Sequence, residues 1–287
     1  MSKESIYVDG PELVSIQESA KTNNITVSLG FSEKVRYSAA TLFNSNVIIG
    51  SDGEILVHHR KLVPTFFEKL TWSQGDGFGL RVAETKFGKI GALICGENTN
   101  PLARYAMMAQ GEQVHISTWP AVWPTSVPHA LEEKSGGGEE GGEKGRKWKN
   151  YDNVTANRTR AAAHCFENKC FGILCASYLA PSNIEAIASA SSDPSFISRA
   201  LEASPRGATM FLDPTGAALP GYIVDAGGKK VEKEFLQNEE GILYAEIDLD
   251  LCIEGKQYHD VVGGYQRLDV FDLKVDRSRR EPATFLS

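Results

Sequence analysis

The chain has 287 residues, of which 41% are hydrophobic and 23% are charged, and its formal net charge is −7. This length allows one large domain with a full core, and the negative charge argues against nucleic acid or an anionic membrane as a partner. No apolar run approaches the roughly 20 residues of a membrane span, and the start MSKESIYVDG resembles no targeting signal. The five scattered cysteines indicate reduced thiols. We therefore expect a cytoplasmic protein.

Apolar runs with strand composition alternate with helical stretches along the chain. Strands are predicted at 25–31, 42–50, 54–60, 89–95, 113–119, 170–178, 208–214 and 241–249. Helices are predicted at 11–23, 99–111 and about 152–169. Hairpin turns are predicted at SDG (51–53) and DPTG (213–216). Because several runs are apolar almost throughout, as in strands covered on both faces, the pattern predicts α/β layers with a mixed sheet.

Two segments do not fit these layers. Residues 132–150 (EEKSGGGEEGGEKGRKWKN) are rich in glycine and charge, which predicts a disordered insertion. The strand pattern stops after about Asp250, and 251–287 is expected to be an extended tail whose apolar side chains pack on other protein surface. The prediction is therefore one domain over 1–250, followed by the tail.

Cys95 stands where the strand-like run IGALIC ends in a Gly-Glu-Asn turn. In open α/β sheets ligands collect at that end of a strand, whereas a core thiol usually lies within the run as a small hydrophobe. A nucleophilic thiol needs a neighbouring base or positive charge, and Lys61 and Glu68 of the segment HHRKLVPTFFEKLTW could supply both. Spacing alone leaves the core alternative open.

The segments HRKLVPT with Glu68, LICGENTNPLARYA, EEGILYAEIDL and QYHDVVGGYQRLDVF resemble the nitrilase branch of the carbon-nitrogen hydrolase family. The resemblance spans nearly the whole chain apart from 132–150. Gly-Glu-Asn after the cysteine is similar to nitrilases that act on arylacetonitrile-like or aliphatic nitriles. The resemblance implies a four-layer α-β-β-α sandwich with a Glu-Lys-Cys triad. It makes Cys95 the nucleophile, Lys61 the catalytic lysine and Glu68 a second glutamate that holds the lysine.

The triad's own glutamate is expected in a strand ending Pro-Glu, within an opening β-α-β segment. No such strand precedes Lys61. The glutamates upstream of it are Glu4, Glu12, Glu18, Glu33 and Glu54. We therefore expect a chain that lacks the first β-α-β segment and has little or no turnover.

The implied reaction converts a nitrile and water to a carboxylic acid and ammonia through a thioimidate and a thioester on Cys95, without a cofactor. Trp119 and Trp123 either line the substrate pocket or belong to the core, and a backbone N–H near Gly96 is expected to stabilise the tetrahedral species. Two alternatives stay open. One is a catalytically impaired truncated homologue that acts as an assembly subunit. The other is a sister activity on amides or cyanide.

No metal site is predicted. His58 and His59 lack a cluster of further ligands, and the spacing of Cys165, Cys170 and Cys175 matches no zinc pattern. The resemblance also implies a homodimer or larger homo-oligomer through the helices at 99–111 and 152–169, whose alanines permit close packing. The expected small-molecule partner is a nitrile.

Overall fold

The computed structural model describes residues 2–123 and 152–283, so the insertion predicted at 132–150 lies outside the described residues. The helices in these ranges are α1 (Pro11–Asn23), α2 (Pro101–Met108), α3 (Asn153–Asn168), α4 (Pro181–Ser189), α5 (Pro194–Ala203) and α6 (Asp250–Lys256). The longer strands are β1 (Val27–Lys34), β2 (Leu42–Ile49), β3 (Ile55–Arg60), β5 (Gly88–Ile94), β6 (Val114–Trp119), β7 (Phe171–Ala176) and β8 (Thr209–Leu212). Shorter strands are β4 (Ala83–Thr85), β9 (Ala218–Leu219), β10 (Gly221–Val224), β11 (Lys230–Lys233) and β12 (Phe235–Leu236).

The strands form two principal sheets. Strands β1, β2 and β3 make an antiparallel sheet in that order, with the predicted turn at 51–53 between β2 and β3. The larger sheet has the order β12-β8-β7-β6-β5-β4, and β9 pairs with β8. Within it β5, β6 and β7 are parallel while their outer neighbours are antiparallel, so the predicted mixed sheet is confirmed.

The two sheets pack face to face between helices. Side chains of β2 alternate between the faces of the small sheet: Val47 and Ile49 pack against α1, and Ile48 packs against Ala92 of the large sheet. This alternation explains why β2 is apolar on both faces. On the far face of the large sheet, α2 packs through Met107. With α3 on the same face, the layers are α-β-β-α, as predicted.

The strand predicted at 241–249 is wrong. The segment is largely exposed, and its only described pairing is one antiparallel bridge from Tyr244 to Tyr222 of β10. Its alternating apolar residues therefore lack a neighbouring strand to complete a ladder. The tail predicted to be extended begins instead with a short helix, α6, that buries Cys252.

Besides α6, two further helices were not predicted from the sequence. Helices α4 and α5 lie between β7 and β8 and pack on each other. No helix in the described ranges is long and apolar enough to cross a membrane.

Candidate active site

Cys95 occupies a sharp turn at the end of a central strand. Strand β5 lies between β4 and β6 and ends at Ile94, and a short 3₁₀ helix, Cys95–Thr99, follows at once. The φ of Cys95 is +53°, a left-handed conformation that costs a residue with a side chain about 1–3 kcal/mol. A Cβ on Gly96 would lie 3.0 Å from the Thr65 Oγ1, so the turn passes close to the segment that follows Lys61.

Glu97 fastens the turn to the neighbouring segment. Its buried carboxylate accepts hydrogen bonds from the Ile94 N–H at 2.7 Å and the Leu62 N–H at 2.6 Å. The His59 Nε2 lies 2.9 Å from the same carboxylate. Burial alone would raise the pKa of Glu97, but His59 and the two backbone donors outweigh it and hold that pKa below its ordinary value. Glu97 therefore satisfies two backbone N–H groups at this turn.

Asn98 connects the turn to strand β6. Its Nδ2 donates to the Cys95 carbonyl at 3.1 Å and to the Leu93 carbonyl at 3.2 Å. Its Oδ1 accepts from the Ser117 Oγ at 3.0 Å and lies 2.9 Å from the His115 Nε2. These four bonds use both ends of the amide, so the backbone position of Cys95 depends on this buried side chain.

The buried Glu112 carboxylate binds two histidines, and one of them, His115, contacts Asn98. Glu112 lies 2.8 Å from the His115 Nδ1 and 2.7 Å from the His164 Nε2. Burial would raise the pKa of Glu112, but the two imidazoles lower it to about 2. Within the described ranges these three residues form the one cluster of metal-ligating types, with ligand atoms within 4.8 Å of one another. The His164 side chain is fully buried.

Lys61 follows β3 directly, and its side chain is fully buried. Its Nζ forms an ion pair with the Glu68 carboxylate and donates to the Thr65 Oγ1 at 3.1 Å. The Glu68 Oε2 also accepts the Thr65 N–H at 2.6 Å. Because Glu68 holds both the lysine and the loop between them, the ammonium has a fixed position.

The charges of Lys61 and Glu68 both act on the Cys95 thiol. Burial has the largest effect and raises the pKa of Cys95 above its ordinary value, and the nearby Glu68 carboxylate raises it further. The Lys61 ammonium, the Gly96 backbone N–H and the Arg160 guanidinium lower it, but they do not outweigh burial. The structure therefore brings together the three residues predicted for catalysis.

A cavity of about 160 Å³ opens beside Cys95. Its lining residues are Thr65, Cys95, Gly96, Thr99, Trp119, Pro120, Trp123, Asn153, Ala156, Asn157 and Arg160. Trp119 and Gly96, the two residues predicted to bind substrate, are therefore both in its wall, although Trp119 is also largely buried. A larger open groove of about 670 Å³ lies along α4 and α5 and shares no lining residue with this cavity.

One buried upstream glutamate, Glu33, binds residues outside the candidate site. Glu33 lies within β1 rather than after a strand, and its buried carboxylate pairs with Arg60, lies 2.8 Å from the His58 Nε2 and accepts the Ser45 hydroxyl at 2.5 Å. Burial would raise the pKa of Glu33, but these partners lower it to about 2. None of its described bonds reaches Lys61.

Several residues of the site could not be recognised from the spacing of residues in the sequence. Asn98, Thr65 and Arg160 were not predicted, because their roles depend on contacts between distant segments. Only their proximity to the predicted strand ends could have suggested Asn98 and Thr65.

The family model described as carbon-nitrogen hydrolase matches residues 2–257. The chain is 31% identical to a protein named nitrilase from Penicillium rubens, over 98% of this chain and 75% of that protein. It is 32% identical to a bromoxynil-specific nitrilase from Klebsiella pneumoniae subsp. ozaenae, over 98% of this chain and 68% of that protein.

Two solved structures have the same fold. A carbon-nitrogen hydrolase from Helicobacter pylori G27 matches with a TM-score of 0.57 at 20% identity, over 86% of this chain and 69% of that chain. A Saccharomyces cerevisiae member of branch 10 of the nitrilase superfamily matches with a TM-score of 0.57 at 18% identity, over 93% of this chain and 77% of that chain. At these identities the likeness concerns the fold alone.

Proposed function

Because the chain belongs to the nitrilase branch of the carbon-nitrogen hydrolase family, we propose that it hydrolyses a nitrile to a carboxylic acid and ammonia through Cys95. One observation carries the proposal. A cysteine in a left-handed turn at a strand end lies on a cavity, within the electrostatic reach of an ion pair between the fully buried Lys61 and Glu68. A core thiol needs none of these features.

The reaction consumes two water molecules. The Cys95 sulfur adds to the nitrile carbon while its proton passes to the nitrogen, which gives a thioimidate. The first water adds to that carbon, and the carbon–nitrogen bond then breaks to release ammonia and leave a thioester. The second water breaks the thioester to give the carboxylic acid and restore the thiol. No cofactor is needed, because each step is acyl-transfer chemistry without net oxidation or reduction.

Lys61 and the backbone N–H of Gly96 are the groups proposed to stabilise the tetrahedral species. Lys61 presents a positive charge where burial removes competing water, so its field is stronger than at a surface. The Gly96 N–H already acts on the sulfur before substrate arrives. Glu68 is proposed to orient Lys61, since its described bonds go to Lys61 and to the Thr65 backbone.

Ammonia and acid release from a panel of nitriles, arylacetonitriles and short aliphatic nitriles with and without a carboxylate, tests this proposal. We expect Cys95→Ala to abolish both products, because no other group would form the thioimidate. Cys175→Ser is the matched control, since Cys175 ends strand β7 in the same sheet but is exposed and does not line the cavity. Product release by Cys95→Ala at the wild-type rate would refute the role of Cys95. A covalent adduct on Cys95 without ammonia would instead indicate a catalytically impaired homologue.

A homodimer through α2 and α3 is proposed as well. The two helices are joined by an Arg104–Glu167 ion pair at 2.7 Å, and they expose Leu102 and Phe166. Ala103, Ala106 and Ala161 pack inside the protomer, whereas Ala109 is exposed and Ala162 and Ala163 are half-buried. Sedimentation should show a dimer that Leu102→Asp with Phe166→Asp weakens, and a wild-type monomer at all concentrations would exclude it. A cytoplasmic location remains a prediction from the sequence.

A further inference from the structure

Arg160 lies in the wall of the cavity that holds Cys95 and is not paired with a carboxylate in the part of the chain that the structure describes. Its guanidinium donates one hydrogen bond, to the Asn157 Oδ1 at 3.3 Å, and its carbon lies 5.3 Å from the centroid of the Trp119 ring. Three arginines whose side chains are at most 16% exposed differ in this respect. Arg60, Arg104 and Arg279 each bond to an aspartate or glutamate.

Trp119, another residue that lines the cavity, carries a donor without an acceptor. The Trp119 Nε1 is buried and has no hydrogen-bond partner among the described residues, although buried indole N–H groups usually find one. None of the lining residues is an aspartate or a glutamate. The cavity wall therefore carries positive charge and an unused donor, and nothing described in it competes for an anion.

Arg160 is not the cation with the largest effect on the pKa of the Cys95 thiol. Of the two cations that act on the Cys95 thiol, Lys61 has the larger influence and Arg160 the smaller. Lys61 is fixed by Glu68, whereas Arg160 is half-buried on the wall formed by α3. The two positive charges therefore suit two different groups of one ligand: the reacting carbon–nitrogen group near Lys61, and an anionic group near Arg160.

We propose that the site is specific for nitriles that also carry a carboxylate, and that Arg160 binds this carboxylate while the nitrile carbon faces Cys95. The proposal rests on the function proposed above and names its substrate class. A guanidinium matches a carboxylate with two parallel N–H···O bonds, which gives orientation as well as affinity. A cavity of about 160 Å³ admits a short cyano acid. Such a substrate and two waters yield a dicarboxylate and ammonia.

The test compares 3-cyanopropanoate with its uncharged methyl ester in wild type, Arg160→Met and Arg160→Lys. We expect Arg160→Met to lower kcat/KM for the acid by about 10- to 100-fold, the usual loss for a hydrogen bond to a charged group, and to change the ester less than about 3-fold. Arg160→Lys should recover part of the loss, because it restores charge without the bidentate geometry. Arg158→Met is the matched control, since Arg158 lies on the same helix but is half-exposed and outside the cavity.

A second measurement does not require turnover. Succinate should slow alkylation of Cys95 by iodoacetamide in wild type and in Arg158→Met, and this protection should disappear in Arg160→Met. If no nitrile releases ammonia but the protection depends on Arg160, the proposed reaction fails and carboxylate recognition stands. Equal effects of Arg160→Met on the acid and the ester, or equal protection in wild type and Arg160→Met, would overturn the assignment.

Discussion

At the scale of single residues, the Cys95 thiol combines a reactive position with an environment that favours its protonated form. Burial raises its pKa, and Lys61 opposes burial without outweighing it. The proposed nucleophile therefore starts mainly as a thiol near neutral pH, and its reactivity depends on the charges beside it. Substitutions of Lys61 and Glu68 distinguish the effect of each charge on the Cys95 thiol from its effect on hydrolysis.

Lys61→Met removes the principal positive charge that lowers the pKa of Cys95. The pKa should therefore rise further above its ordinary value, and the pH profile for alkylation of Cys95 should move to higher pH. A rise of one unit would lower the alkylation rate below that pKa about 10-fold. Iodoacetamide kinetics with peptide mapping measures this rate, and Lys69→Met, an exposed lysine of the same segment, is the control. An unchanged profile would show that Lys61 does not influence the thiol.

Glu68→Gln should change alkylation and turnover in opposite directions. The carboxylate raises the pKa of Cys95, so its loss lowers that pKa and speeds alkylation at neutral pH. Hydrolysis should slow by about 10²-fold, the usual cost of displacing a catalytic group by about 1 Å, because Lys61 loses the carboxylate that orients it. Both rates are measured on the same preparation. Slower alkylation, or unchanged ammonia release, would contradict the role given to Glu68.

At the scale of elements, the site depends on how closely β5 approaches the segments around it. Gly91 lies in β5, and a Cβ there would meet the Glu112 Oε1 at 1.9 Å and the Met107 Cε at 2.8 Å. Helix α2 and the Glu112 cluster therefore pack directly on the strand that delivers Cys95. This contact explains why the strand tolerates no side chain at that point.

Gly91→Ala should destabilise the protein by about 1–3 kcal/mol, as expected when a methyl group is forced into a packed core. Gly30→Ala is a matched control, because Gly30 also lies within a strand and the nearest atom to a Cβ there is the Ser45 carbonyl oxygen at 4.0 Å. Urea unfolding measures both. Equal stability of the two variants would show that β5 can shift away from Glu112 without cost.

Sequence patterns located most strands and the reactive residues, but not the contacts between segments. The apolar run before Cys95 and the segment around Lys61 have local signals, so their strand ends and their proximity were predictable. The Glu97–His59 and Glu112–His164 bonds join residues far apart in the chain and have no periodicity. The helices α4 and α5 pack on each other, a pairing that neither segment signals alone.

At the scale of the whole molecule, buried carboxylates link stability to pH. Glu33 and Glu112 have pKa values of about 2, against an ordinary value of 4.5. Above pH 4.5 these groups are ionised in both the folded and the unfolded chain, so their stabilisation is complete. Below it the unfolded chain takes up protons first, and stability is lost as the pH falls towards 2.

The free energy of unfolding should therefore fall between pH 4.5 and pH 3 more steeply in wild type than in Glu112→Gln. Each carboxylate contributes a slope of about 1.4 kcal/mol per pH unit in this window, and the variant lacks one of them. Glu84→Gln is the control, because the Glu84 side chain is 79% exposed. Parallel curves for wild type and Glu112→Gln would show that the Glu112 pKa is not lowered by folding.

Measuring the mass of the protein during the reaction shows directly whether Cys95 forms the covalent intermediate. Glu68→Gln should accumulate the thioimidate or thioester, because Lys61 loses its fixed position and stabilises the tetrahedral species of both hydrolysis steps less well. After acid quenching with an arylacetonitrile or a cyano acid, mass spectrometry with peptide mapping should place the adduct on Cys95, and Cys95→Ala with Glu68→Gln should carry none. Nitrile consumed without an adduct on Cys95, or an adduct mapped to another residue, would contradict the account.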